Sequence, residues 1–377
     1  MNTGSIHDLL ELALKHRASD VILKSGMTPA FRIDGRVRIP SGPPLSPKQV
    51  FELCEEIIDA SGRDLLLMLG ADDLSIADKH TDELMKRIEN GDEIDIDFTI
   101  AELMRVRANI FKQRNTYGAT LRIIPLKPYN FTELHLPDHL KDLCKLTQGM
   151  IIVTGPTGSG KSTTLAALIQ HINETREANI VTIEDPIEYI FQEGKSVIHQ
   201  REVGQDTKTF ASGLKSVLRQ TPDVILIGEI RDADSMSVAL NAAEVGHLVL
   251  TSLHTTSAPA AIDRILHVFP PEDQPFIRLQ LSAVLGGIIS QKLVPKASGV
   301  GRLPAVEVMR NSPTIKKIIE DGALTELYVA MREGQHFGMN TMNQALEALV
   351  TSGQITFEMA MEYCGNITEM KQMLRKS

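Results

Sequence analysis

The segment GPTGSGKST, residues 155–163, constrains this chain more than any other. It fits the pattern G-x-x-x-x-G-K-[ST] in full. It also stands between an apolar run, Met150–Thr154, and a helical one, Lys161–Thr175. A strand, a glycine loop and a helix in that order cradle phosphate. Gly155, Gly158 and Gly160 let the backbone curl so that successive N–H groups point inward. The helix N-terminus behind them favours an anion. Lys161 puts a point charge on the β- and γ-phosphate oxygens, and the Ser162 hydroxyl ligates Mg²⁺. Pro156, Thr157, Ser159 and Thr163 complete the loop. The expected ligand is ATP with Mg²⁺.

Further apolar runs follow at Ile180–Glu184, Val224–Ile227 and Leu248–Ser252, alternating with helical patterns at Thr209–Arg219 and Ala233–Glu244. Apolar runs of this kind are parallel strands covered on both faces, so the expected fold class is α/β, a doubly wound, mainly parallel sheet. Ligands of such sheets bind at the carboxyl ends of the strands. Three acidic or histidine segments fall there. The second strand ends in Glu184 and Asp185, with Glu188 close behind; these carboxylates are expected to position water or hold metal-bound water. The third leads to Gly228 and Glu229. Gly228 stands where many phosphate-loop enzymes carry a metal-linked Asp, so the expected metal set is Ser162, Asp185 and Glu229, and Glu229 is the expected general base. The fourth is bracketed by His247, read as structural, and His254, read as a γ-phosphate sensor.

The amino-terminal part reads differently. Residues 1–125 are expected to form a small α+β domain: a helix at Ser5–His16, short strands at Asp20–Leu23, Ala30–Ile33 and Arg36–Ile39, a helix at Lys48–Leu69, and strands at Arg105–Ile110 and Ala119–Ile124. Residues 71–97 are acidic, and the plain expectation is a solvated helix plus loop with Leu84, Ile88 and Leu74 on one face. Proline and turn formers mark a linker over 126–140, and the catalytic domain is expected over 141–377, mainly helical from about 296.

Composition narrows the function classes. The net charge is −9 with 4% aromatic residues and no Trp, which argues against nucleic-acid binding by bulk charge or base stacking. The three cysteines, Cys54, Cys144 and Cys364, form no C-x-x-C pair, so neither a zinc site nor a disulfide framework is expected. No apolar stretch is long enough to span a bilayer, and no signal-peptide core is seen, so the expected location is cytoplasmic, with any membrane role passing through a partner.

Four segments together resemble the type II/IV secretion ATPases, and within them the PilT/PilU-type twitching-motility ATPases: GPTGSGKSTTLAALI (155–169), TIEDPIEYI (182–190), LRQTPDVILIGEIRD (218–232) and GHLVLTSLHTTSAPAAIDRI (246–265). They are similar to that family's Walker A, Asp box, atypical Walker B and His box, in order and spacing. The resemblance implies a RecA-like ATPase domain preceded by a PAS-like domain, and a homohexameric ring with ATP between subunits. It implies arginines reaching the neighbour's γ-phosphate, here Arg105, Arg107 and Arg122, with Arg219, Arg231 and Arg264 as further interface residues. Partners implied are an inner-membrane pilus platform protein, which would hold the ring at the inner membrane, and a paralogous pilus ATPase.

Two segments depart from the retraction-type pattern. TIKKIIED (314–321) carries Lys316 and Glu320 where arginines are expected, and QRN (113–115) with the tail 366–376 looks more like the accessory PilU-type enzyme. A retraction motor is the leading expectation. The alternatives are an assembly or secretion ATPase, a nucleic-acid translocase and a nucleotide-gated scaffold. The assembly enzymes commonly carry a long extra N-terminal region and a tetracysteine motif, neither present here, and the negative charge weighs against a translocase.

Overall fold

The computed structural model describes residues 5–69, 75–100, 104–125 and 127–375. The chain divides into two compact units, Met1–Leu126 and Lys127–Ser377.

The first unit is built on strands β1 (Asp20–Lys24), β2 (Ala30–Ile33), β3 (Arg36–Arg38), β4 (Ile94–Ile100), β5 (Met104–Gln113) and β6 (Thr116–Pro125), with helices α1 (Ile6–Lys15), α2 (Pro47–Leu69) and α3 (Ser75–Glu89). The sheet runs β3-β2-β1-β6-β5-β4 and every pairing is antiparallel. Side chains alternate faces along a strand. In β5, Met104, Val106, Ala108 and Ile110 are therefore buried in one core with α1, α2 and α3, while Arg105 and Arg107 lie on the other face. The acidic segment resolves into two elements. α3 buries Leu84, Met85 and Ile88 in that core, and the alternating run IDIDFTI, expected as loop, is β4. Its expected companion Leu74 lies outside the described residues.

The second unit contains β7 (Gly149–Thr154), β8 (Asn179–Glu184), β9 (Val197–Glu202), β10 (Val224–Ile227), β11 (Leu248–Leu253), β12 (Leu285–Pro295) and β13 (Arg302–Arg310). Its helices are α4 (Lys161–Thr175), α5 (Phe210–Val217), α6 (Ala233–Glu244), α7 (Ala258–His267), α8 (Gln274–Val284), α9 (Pro313–Asp321), α10 (Leu327–Glu333), α11 (Met342–Thr351), α12 (Phe357–Tyr363) and α13 (Ile367–Met373). The sheet runs β13-β12-β7-β11-β10-β8-β9, parallel except where β13 returns antiparallel to β12. Both faces are dry. Met150 and Ile152 join a core with α5 to α9, whereas Ile151 and Val153 join one with α4. That two-sided burial is why the strands read as unbroken apolar runs.

The region beyond 296 is mainly helical and also contains β13: LPAVEVM lies there, where pairing with β12 decides the conformation of a run that local pattern leaves undecided. One expectation is corrected. The segment 126–140 is not a free linker from 131 onward. Phe131, Leu136 and Leu140 are buried beside α4, with the Phe131 ring edge-on to His171 and the Lys141 ammonium over it. Proline and polar neighbours mask three apolar anchors that only the packing reveals. Replacing Phe131 with Ala should therefore lower unfolding stability by about 3 kcal/mol, as for a large aromatic lost from a core, measured by denaturant unfolding; a loss within experimental error would mean the segment is a tether only.

Candidate functional site

The carboxyl ends of β7, β11, β10 and β8 lie side by side, so the segments that follow them share one edge of the sheet. In spatial order they bear the phosphate loop, His254, Gly228 with Glu229, and Glu184 with Asp185.

The loop is a close-fitting cradle. Gly155 has φ 151° and Gly160, the N-cap of α4, has φ 88°. A Cβ at 155 would stand 2.4 Å from the Gln291 main-chain oxygen, and one at 160 would stand 2.9 Å from Gln291 Nε2, so side chains are excluded at both. Gln291, on β12, holds the loop from below: its Nε2 donates to Ser159 O at 2.7 Å and its Oε1 accepts from Thr164 Oγ1 at 2.7 Å. Ser159 Oγ is buried without a partner, an orphaned hydroxyl inside a concave loop of N–H groups. The cradle, the orphaned hydroxyl and the lysine fit a bound phosphate chain.

Lys161 Nζ donates to Gly155 O at 3.0 Å and Pro156 O at 3.3 Å, and lies 3.4 Å from His254 Nδ1. Burial pulls its ammonium below the usual lysine range, which the carboxylates of Glu229 and Glu188 partly offset. The other ring nitrogen of His254, Nε2, is 3.2 Å from Glu229 Oε1, and Arg231 Nη2 donates to Glu229 Oε2 at 2.9 Å. A continuous chain of charge and hydrogen bonding thus runs Lys161, His254, Glu229, Arg231. The Arg231 hydrogen bond holds the Glu229 carboxyl below its ordinary value against the cost of burial, with His254 adding to the effect. Glu229 is therefore ionised at neutral pH.

The other expected residues are placed as follows. Ser162 is exposed at the start of α4, and Asp185 is exposed just beyond β8. Among the described residues no group of three His, Cys, Asp or Glu is arranged to hold a metal unaided, so a cation here would lean on phosphate oxygens for further ligands. Glu188 is half-buried. Glu184 points inward: it is 8% exposed, and its Oε1 accepts from Thr182 Oγ1 at 2.6 Å and from Gln200 Nε2 at 3.4 Å. His247 Nδ1 meets Pro222 O at 2.7 Å, far along the strand from the loop. Arg105, Arg107 and Arg122 belong to the first unit. Arg105 is paired with Asp97, and Arg122 Nε lies 3.3 Å from Asp20 Oδ1. Arg107 stands directly across from Arg122 on the neighbouring strand and makes no ion pair among the described residues.

Local motif reading missed the supporting shell. Gln291 lies on a strand with no motif around it. Tyr189, whose hydroxyl is 3.0 Å from Thr163 Oγ1, ties the 184–190 segment to the phosphate loop; its position inside TIEDPIEYI was the only available signal.

Burial pushes the Glu184 carboxyl up to about 7 from its ordinary 4.5, against the Thr182 and Gln200 hydrogen bonds. Between those values the folded chain binds more protons than the unfolded one, so its stability falls as pH rises through that window. Glu184→Gln should remove this slope, leaving the variant relatively more stable at pH 7.5 than at pH 5 by about 2 kcal/mol. Thermal unfolding of both proteins at the two pH values checks it; parallel profiles would mean that the carboxyl is not buried as described.

Comparison with known proteins agrees with this geometry. Residues 76–334 match the family model for type II/IV secretion system proteins. The chain is 40% identical over 357 residues to the type IV pilus retractation ATPase PilT of Pseudomonas aeruginosa, covering 95% of this chain and 97% of that one. It is 36% identical over 367 residues to the type IV pilus ATPase PilU of the same organism, covering 97% and 90%. The crystal structure of the pilus retraction motor PilT with bound ADP superposes with a TM-score of 0.81 at 40% identity, over 98% of this chain and 99% of that one. A glycine loop, a histidine and a carboxylate meeting at the carboxyl edge of one parallel sheet thus carry a likeness that extends over nearly the whole length: the chain belongs to the type II/IV secretion system protein family.

Proposed function

We propose that this chain is an ATP-hydrolysing hexameric motor that drives type IV pilus retraction. The observation that carries the reading is the contact chain Lys161–His254–Glu229 beside a fitted phosphate cradle, in a chain 40% identical to a pilus retractation ATPase along 95% of its length. The loop N–H groups and Ser159 hold the phosphates, and Lys161 turns from the loop carbonyls to the β/γ oxygens. Ser162, Asp185 and Glu229 are the residues that would hold Mg²⁺, which would neutralise charge on those oxygens. Ionised Glu229 orients the attacking water and draws on its proton. His254 lies between Lys161 and Glu229, where it senses the γ-phosphate. Glu188 adds negative charge beside Lys161, and Glu184 supports from beneath the segment that carries Glu188.

The ring reading rests on the arginines of the first unit. Arg105 is engaged by Asp97, and Arg122 by Asp20, which leaves Arg107 as the leading candidate to reach a neighbouring subunit's γ-phosphate. The motor would act in the cytoplasm on an inner-membrane platform protein; among the described residues no helix is long and apolar enough to cross a membrane. A second reading, an accessory retraction ATPase working beside a paralogue, is favoured by the 36% likeness to PilU and by Lys316 and Glu320 in α9. The Glu320 side chain is drawn to Ser282 Oγ of α8 rather than outward.

Purified protein should hydrolyse ATP only with Mg²⁺, and Glu229→Gln should lower kcat by about 100-fold or more while nucleotide binding persists. An unchanged rate, or no Mg²⁺-dependent hydrolysis by the parent protein, defeats the enzyme reading. In the host, deletion should leave cells hyperpiliated and immotile, whereas bald cells would assign assembly. Arg107→Ala and Lys161→Ala should each abolish turnover alone. Mixed in equal amounts they should regain activity, because about a quarter of head-to-tail interfaces then pair an intact loop with an intact arginine. Failure of the mixture to regain any rate would place the arginine outside a shared site.

A further inference from the structure

Behind the site lies a row of buried polar side chains that no step above uses. Thr154 on β7, Ser290 on β12 and Glu307 on β13 occupy registered positions on three adjacent strands, and are 0%, 1% and 2% exposed. Each grips a successive piece of the segment that follows His254. Thr255 N donates to Thr154 Oγ1 at 3.0 Å, Ser290 Oγ donates to Thr256 O at 3.3 Å, and Ala258 N, the first residue of α7, donates to Glu307 Oε1 at 2.7 Å. The second Glu307 oxygen, Oε2, accepts from Met342 N at 3.1 Å, the first residue of α11. One carboxylate therefore satisfies first-turn donors of two helices, whose N-terminal partial charges both favour it. α11 is bound to the same strands in other ways. Asn340 pairs with Val308, and Leu346 packs with Val294, Leu303 and Ala305. Lys292, one strand away, donates to Tyr363 O at the end of α12.

We propose that Glu307 is a positioning residue: through residues 255–258 it sets His254 against Lys161 and Glu229, and it carries movements of the C-terminal helices α11–α13 to that contact. A carboxylate is needed because both faces of the joint present donors. Glu307→Gln leaves one acceptor oxygen for two N–H groups, so the amide alternates between them and each helix start keeps its bond only part of the time.

This inference rests on the ATPase reading, and the test separates the two. Full-length protein carrying Glu307→Gln should lose about tenfold in kcat with KM for ATP altered less than about twofold, since the loop that binds nucleotide is untouched. Combined with His254→Ala, it should slow the enzyme less than about twofold beyond His254→Ala alone, because both changes remove the same contact. Amide hydrogen exchange in Glu307→Gln should quicken over both 255–262 and 342–346. Ser290→Ala, a gentler change, should lose about two- to threefold in kcat, again without adding to His254→Ala. It should quicken exchange over 255–257 and leave 342–346 unchanged. If Glu307→Gln does not fold, Glu307→Asp, which keeps both acceptor oxygens on a shorter arm, takes its place in the same cycle with His254→Ala and the same exchange measurement, with the same outcomes deciding. Losses that multiply with His254→Ala, a rise in KM at constant kcat, or exchange that changes at only one helix start in Glu307→Gln would each overturn the proposal. Absence of hydrolysis in the parent protein would instead defeat the ATPase reading itself.

Discussion

The side chain of Gln291 ties the phosphate loop to helix α4, bonding to Ser159 O and to Thr164 Oγ1 from a position 3% exposed. Its main-chain oxygen also lies where a side chain at 155 would be. The loop is therefore not self-supporting. Gln291 reaches it because β12 lies beside β7, and β13 closes the sheet edge beyond β12. A phosphate cradle must present its N–H groups before the ligand arrives, because ordering them at the moment of binding costs affinity and rate. The strand neighbour meets that requirement.

The same edge of the sheet sorts two carboxylates into different states. Glu184 is surrounded by protein, and desolvation raises its carboxyl to about 7. Glu229, two residues past the neighbouring strand, is held ionised by Arg231 and His254. Two acidic side chains a few ångströms of backbone apart thus differ because one faces the core and one faces cations. Glu229 is the one both held charged and open enough to meet water, while Glu184, buried among protein, supports the segment that carries Glu188 and Tyr189.

In the first unit a comparable ordering appears as a charged row across the sheet. Arg32, Asp20, Arg122, Arg107 and Asp97 follow one another in register over β2, β1, β6, β5 and β4. Asp20 is shared by Arg32 and Arg122, which limits the reach of both, while Arg107 sits next in the row without a counter-ion among the described residues. Register, not composition, singles out this arginine.

Much of this was legible in the residues themselves. The loop 155–163, the strands before it and after it, and the helices that face them follow from glycine placement and from apolar runs of strand length. Those are local properties, set by backbone sterics and by burial on both faces. His254 and Glu229 were visible as candidates because they follow strand ends. What the sequence did not reveal depends on which strands become neighbours. β4, β9, β12 and β13 carry no motif. Phe131, Leu136 and Leu140 hide among proline and polar residues. The roles of Gln291 and Glu307 exist only where β12 and β13 meet β7 and the helices above them. The sequence by itself determined that this chain builds a phosphate site on a parallel sheet, because that pattern is written in a few adjacent residues. The tertiary structure alone decided which carboxylate stays charged, because burial is set by how neighbouring strands pack, and which side chain holds the loop, because Gln291 lies more than a hundred positions from Thr164.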